Sequence, residues 1–285
     1  MRSRSHRHTR LAASVAIASL AAFGATAHAQ DSSNKKSQSP ALDNISVWVG
    51  GYYTNNDTTI GATTGILNTS GDVNLEDDLD FKKHKTVPRV RLDFLIGEHQ
   101  GFAFDYYKVD RSNSRTLNEQ INFLGNPIQA SAYVKGDLKF TFGSAAYKWW
   151  FGTGNDVFGV GLGAAYYKVE ASIYGSVSAL GQTQSSGSSS DTNAWAPNLQ
   201  LGWRHAFNDQ WRMYVNASGV KKNGGSLNGH IWDGAVGVEW FPWENVGFGA
   251  EYAYTKIDLH QDKSRYDLDL DMKLNGPAAY VRFRF

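Results

Sequence analysis

The sequence predicts an all-β protein: a closed antiparallel transmembrane β-barrel of ten strands, with eight as the alternative. Three observations carry this. Apolar residues recur at every second position rather than at helical spacing. No apolar segment beyond residue 29 reaches the about 20 residues that a spanning helix needs. Four tight polar breaks interrupt the alternation, Gly97 to Gly101, Gly152 to Asp156, Asn208 to Gln210 and Pro242 to Asn245, and longer polar stretches lie between them and at residues 55–85. Membrane barrels keep short turns and both termini on the periplasmic side and longer loops outside, so four short turns imply ten strands.

The chain divides into three parts. Arg2, Arg4, Arg7 and Arg10 precede an uncharged stretch from Leu11 to Ala27 that ends at Ala27-His28-Ala29. This is the pattern of a cleaved secretory signal over residues 1–29. Its loss takes away four arginines and no carboxylate, moving the formal charge from +1 to −3, which argues against nucleic acid as a partner. Residues 30–43 are expected to be a periplasmic linker, and residues 44–285 the barrel. The absence of cysteine excludes a disulfide scaffold and a thiolate metal site.

The ten strands are expected at about 44–54, 86–97, 101–111, 132–151, 157–177, 193–206, 210–221, 229–241, 246–260 and 266–285. In extended chain, successive side chains take opposite faces. Strand two then directs Val90, Leu92, Phe94 and Ile96 outward and Arg89, Arg91 and Asp93 inward, and strand three directs Phe102, Phe104 and Tyr106 outward and Asp105 inward. Further inward charges are Arg204 on strand six, Arg212 on strand seven, Asp233 and Glu239 on strand eight, Glu251 on strand nine, and Arg282 and Arg284 on strand ten. A charge facing hydrocarbon costs about 2–4 kcal/mol at the midplane, so all of these belong in the lumen. Six arginines against five carboxylates nearly balance, which favours a charge-paired plug over a charged conduction path.

Trp149, Trp150, Phe151, Phe158, Trp203, Phe207, Trp211, Trp240, Trp243, Phe248 and Phe285 all flank the short turns, as one aromatic girdle would. On strand five Gly159, Gly161 and Gly163 open no helix and so make no phosphate cradle; they are expected to leave room for arginines on the facing wall. On strand ten, even positions are apolar above Asn275-Gly276 and odd ones below Pro277, so a β-bulge is expected there. The Ser/Gly run from Gln182 to Asp191 reads as a flexible external loop.

Histidines 84, 99, 205, 230 and 260 show no ligand spacing, so neither a metal site nor a cofactor is expected. Asp78-x-Asp80 and Asp258-x-His260 resemble the Asp pair and Asp/His pair of the omptins, ten-stranded surface proteases. That resemblance is confined to these four residues, and it implies a surface hydrolase as the alternative function.

Two further resemblances bear on the whole chain. A last strand that alternates Ala279, Val281, Phe283 and Phe285 with Tyr280, Arg282 and Arg284 resembles the assembly signal of bacterial outer-membrane barrels, carried by Tyr280, Phe283 and Phe285. Asn74-Leu75-Glu76-Asp77-Asp78-Leu79, the charged second strand, Ala196-Pro197, and the ending from Gly276-Pro277 to Phe285 are similar to a poorly characterised family of proteobacterial outer-membrane β-barrel proteins. Where that family carries Leu-Gly-Leu, this chain reads Leu79-Asp80-Phe81. The resemblance implies a Gram-negative outer-membrane location and no established reaction. The expected function is a structural or small-solute, porin-like barrel. Its expected partners are outer-membrane lipid and lipopolysaccharide, the barrel-assembly machinery during insertion, and a small solute.

Overall fold

A computed structural model of the protein describes residues 39–64, 69–123, 126–179, 182–225, 227–263 and 266–285. The expected signal segment, residues 1–29, lies outside the described residues. Eleven strands form one antiparallel sheet: β1 (Ile45–Thr64), β2 (Thr69–Asn74), β3 (His84–Leu95), β4 (Gln100–Phe123), β5 (Asn126–Phe151), β6 (Asp156–Ala179), β7 (Gln182–Ala206), β8 (Trp211–Lys222), β9 (Leu227–Trp240), β10 (Val246–Lys263) and β11 (Tyr266–Arg284). β11 pairs with β1 and closes a ring of ten strands, from which β2 branches. Phe285 and Ile45 complete the seam by exchanging backbone hydrogen bonds at 2.8 and 3.0 Å. Closure leaves no open edge in the ring.

The ten strands follow the expected order, and most run further from the short turns than expected. β4 and β5 stay paired out to Phe123 and Asn126, and β6 and β7 out to Ala179 and Gln182. The Ser/Gly run of residues 182–191 is therefore mostly strand rather than loop. Serine on an exposed ribbon satisfies the ladder through its backbone, so a polar composition does not forbid pairing.

β1 changes partner halfway. Its first half, Ile45 to Asn55, pairs with β3, and its second half, Thr59 to Thr64, pairs with β2. Residues 75–83, between β2 and β3, fold into the barrel instead of continuing the wall. Asn74 starts the turn by accepting backbone hydrogen bonds from Glu76 and Asp77, both at 3.0 Å, through its side-chain oxygen. Leu75, Leu79 and Phe81 are buried. Asp80, at φ 53°, holds the left-handed conformation that Asp tolerates better than most residues.

The interior has two layers. In the half nearest the short turns it is charged. In the outer half it is an apolar core, built from Val87, Val109, Leu138, Phe140, Tyr167, Val169, Ile231, Ile257, Leu270, Met272 and Leu274 around the inturned Leu75, Leu79 and Phe81. This explains the phase change on β11 and removes the expected bulge. β11 keeps one continuous register with β1 and β10, and its even residues from Leu270 to Arg282 are buried on the inward face. Leu270, Met272 and Leu274 meet apolar core, whereas Tyr280 and Arg282 meet the polar layer. The interior changes polarity and the strand does not slip.

The outer face carries the complementary pattern. Val49, Val90, Phe104, Leu162, Leu201, Val215, Val236 and Val238 are exposed. Trp195 and Trp203 on β7, like Trp232 and Trp240 on β9, stand eight residues apart on the outward face. That spacing is about 26 Å along a strand at about 3.3 Å per residue, or about 20 Å in height at the usual tilt of about 40°. Two aromatic girdles bracketing an apolar band of this height match a membrane-spanning barrel.

Candidate functional site in the barrel lumen

The inward faces of the strands gather the charged residues into one connected network. Arg89 donates to Asp105 from Nε at 2.9 Å and to Asp233 from Nη1 and Nη2 at 3.4 and 3.3 Å. Asp233 also accepts from Thr255 at 2.7 Å. Arg91 grips Glu251 with both terminal nitrogens, at 2.9 and 3.2 Å, and reaches Asp105 at 3.9 Å. Glu251 accepts from the Tyr214 hydroxyl, which in turn accepts from Tyr280 at 3.0 Å. Tyr280 also contacts Glu239 at 2.9 Å, and Arg282 donates to the same carboxylate at 2.7 Å. Arg204 pairs with Asp93. These are nine of the eleven expected lumen charges, each inside the barrel with a charged or polar partner; the other two, Arg212 and Arg284, meet Asp43 at the turn-side mouth.

Two further charges belong to this layer, Asp43 and Lys148. Asp43 precedes β1, yet it is buried in the turn-side mouth, where it accepts from Arg212 at 2.8 and 3.0 Å and from Arg282 at 2.9 Å, with Arg284 at 3.9 Å. Burial alone would raise the Asp43 carboxyl; Arg282 and Arg212 outweigh it and hold the group below its ordinary range. The stretch from Ser39 to Asp43, expected as a linker, is thus part of the barrel. Ala41 and Leu42 pack with Trp150, Val157 and Ala206, and Ser39 donates to the Gly154 carbonyl at 2.6 Å. Lys148 is a further inward cation and has no carboxylate within ion-pair distance among the described residues.

Trp150 does not join the girdle. It is 4% exposed and lies inside, with the Arg204 guanidinium 4.6 Å and the Lys148 ammonium 5.1 Å from its ring. Adjacent residues of a strand face opposite ways, so Trp149 and Trp150 cannot share a face. Of the β6 glycines expected to leave room for arginine, Gly159 makes room for this ring, since a Cβ there would lie 2.8 Å from it, whereas Gly161 faces Gln200 and Lys148 and Gly163 abuts the backbone of β5. Close approach also fixes two glycines beside the tyrosines. A Cβ on Gly249 would fall within the Tyr280 ring, at 2.0 Å, and one on Gly237 would meet the Tyr214 ring at 2.5 Å.

A second ion pair anchors the inturned segment above this layer. Arg111 on β4 is paired with Glu76, both 3% exposed at the side chain, and donates to Thr58 and to the Lys82 carbonyl at 2.9 Å each. Between the apolar core and the Asp43 segment remains a cavity of about 80 Å³, lined by Arg89, Arg91, Asp93, Lys148, Gln200 and Asn216 among others. That is room for a few waters.

No protein-family profile matches the chain, and no curated protein sequence matches it. Among solved structures, the outer membrane protease OmpT from Escherichia coli matches at TM-score 0.53 with 11% identity, over 85% of this chain and 97% of that one. The likeness is one of fold. The outer membrane protein OprG from Pseudomonas aeruginosa aligns at TM-score 0.39 with 8% identity, over 86% of this chain and 99% of that one.

The four residues of the omptin resemblance fall in two separate places. Asp78 and Asp80 sit on the inturned segment, where Asp78 accepts from the Asn74 backbone at 2.8 Å and Asp80 pairs with Arg115 of β4 at 3.2 Å. Asp258 and His260 point away from the lumen on β10. Asp258 lies 3.9 Å from His230 of β9, and His260 contacts Asp269 of β11. Around the ring, β11 and β1 stand between β10, which carries Asp258 and His260, and the segment after β2 that carries Asp78 and Asp80. Of the residues expected as an assembly signal, Phe283 and Phe285 face outward and Tyr280 faces the lumen. No group of three metal-ligating side chains occurs among the described residues.

Proposed function

We propose that this chain is an integral outer-membrane barrel with a sealed lumen, serving as a structural, surface-presenting wall rather than as a porin. One observation carries the proposal: the interior is filled along its height. The Asp43 segment closes the turn-side mouth, the ion-pair network fills the middle, and the apolar core around Leu75, Leu79 and Phe81 fills the outer half. Closure at three levels is more than a selectivity filter needs, and it suits a rigid post.

The exposed apolar band and its two girdles support membrane insertion, and the fold shared with OmpT is that of an outer-membrane barrel. With the short turns in the periplasm, the long halves of β4 to β7 stand above the outer leaflet. The partners on this reading are the surrounding lipid and lipopolysaccharide, with the assembly machinery engaging β11 during insertion. No catalytic role is assigned.

The test is solute flux. Proteoliposomes loaded with the pure barrel should swell in small sugars at the rate of empty liposomes. Swelling that grows with protein and falls with sugar size would overturn the sealed lumen.

A further inference from the structure

The polar layer of the lumen holds one positive charge too many. Its six arginines meet six carboxylates once Asp43 is included, and every member of that set has an ion-pair partner. Lys148 is a further cation. It is 7% exposed, and its ammonium makes neither an ion pair nor a hydrogen bond with any described residue. The Trp150 ring, 5.1 Å away, offsets part of the cost of burial, but a buried charge without a counter-charge stays expensive.

The strand register gives this ammonium a space to face. Lys148 of β5 stands opposite Gly161 of β6, and Gly161 stands opposite Gln200 of β7. Neighbouring strands lie about 4.8 Å apart, so the lysine and the glutamine rise about 10 Å apart on either side of a residue without a side chain. A Cβ on Gly161 would sit between them, 3.3 Å from the Cβ of Gln200 and 3.5 Å from that of Lys148. Both side chains line the cavity of about 80 Å³, and the Gln200 amide has no hydrogen-bond partner among the described residues.

The remaining wall has donors to spare. Of the described residues that border the cavity, Arg204 and Arg282 at Nε and Trp48 at Nε1 are buried without an acceptor, against Asn216 Oδ1 as a buried acceptor without a donor. The bordering carboxylates, Asp93, Asp105, Asp233 and Glu239, are already held by arginines.

We infer that this cavity is a binding site for one monovalent inorganic anion of halide size, held above Gly161 by the Lys148 ammonium and the Gln200 amide. The anion brings the layer to neutrality. Water can satisfy the amide but leaves the charge unbalanced, and sulfate or phosphate would carry two charges where one is missing. The inference concerns the barrel interior and goes beyond the sealed-lumen reading. It holds whether or not the lumen conducts, so its failure would leave that reading untouched.

The probes are bromide and chloride. Wild-type barrel refolded and crystallised in bromide should show, by anomalous diffraction at the bromine edge, one bromide against Lys148 Nζ and the Gln200 amide. In solution, urea unfolding in lipid vesicles is followed at constant ionic strength while chloride replaces gluconate. The folded-to-unfolded ratio of the wild type should rise about tenfold once chloride reaches about ten times its dissociation constant. Lys148→Met keeps the stem against Trp150 and removes the charge, and its unfolding should not respond to chloride. A cavity that holds water alone, a bromide bound at crystal concentration only with no chloride response in solution, or an equal response in Lys148→Met would each overturn the site. Diffraction from the wild type needs no variant, so it decides the matter even where Lys148→Met fails to fold.

Discussion

The Oδ1 atom of Asp43, ahead of β1, lies 2.8 Å from Nη1 of Arg212 in β8. This contact joins the segment leading into the barrel to a strand far around the ring, and with Arg282 it fastens that segment across the mouth.

Asp43→Asn should therefore loosen residues 39–43 and lower barrel stability by about 3–5 kcal/mol, because Arg212 is left buried without a counter-charge and Arg282 keeps only Glu239. Acid should act in the same direction. A carboxyl held below its ordinary range adds stability that is complete above its unfolded value, about pH 4, and that is lost as the pH falls through the lower folded value. Amide exchange of residues 39–43 reports both. It should rise in the variant at neutral pH, and in the wild type only under strong acid.

The Glu76 and Arg111 pair gives a double-mutant test of the inturned segment. Glu76→Gln should cost about 3–5 kcal/mol by stranding Arg111 in the outer core. Replacing both, with Glu76→Leu and Arg111→Met, should recover most of that loss, since an apolar pair of similar volume suits the surrounding Leu75, Leu79 and Phe81. Urea unfolding in lipid vesicles measures the cycle, and a double variant no more stable than the single one would contradict this account of the outer layer.

Gly249→Ala tests the tyrosine link. A methyl there overlaps the Tyr280 ring, which must move and break its hydrogen bonds to Glu239 and Tyr214. The expected loss is about 1–3 kcal/mol, again by urea unfolding. Gly143→Ala, where a methyl meets only the Tyr106 ring at an ordinary contact distance of 3.7 Å, should change stability by less than about 0.5 kcal/mol.

Legibility from the sequence followed the membrane. Where lipid lies on one side and charge on the other, alternation is strong, so Arg89, Arg91, Asp93 and Glu251 could be assigned to the lumen from phase alone. Beyond the membrane that contrast fades. Serine-rich β7 before Asp191 gave no strand signal, and Leu270 to Leu274 seemed out of phase because both faces there meet an environment other than lipid. Trp150 belongs inside by its parity with Trp149, a signal that aromatic content alone does not carry. Lys148 carried the same inward phase as its neighbours and needed only the strand to be read through. Asp43 had no periodic signal, because it stands outside any strand and its role exists only once the ring has closed.

Single-channel recording in planar bilayers tests the sealed lumen most directly, with the wild type beside Glu239→Gln/Glu251→Gln. These two carboxylates hold Arg282 and Arg91, and lumen charges set the selectivity of barrels. The account predicts a wild-type barrel at the level of bare membrane, and a double variant that is less stable and conducts in brief, anion-selective openings. A large, steady wild-type conductance, left unchanged by the double substitution, would contradict it.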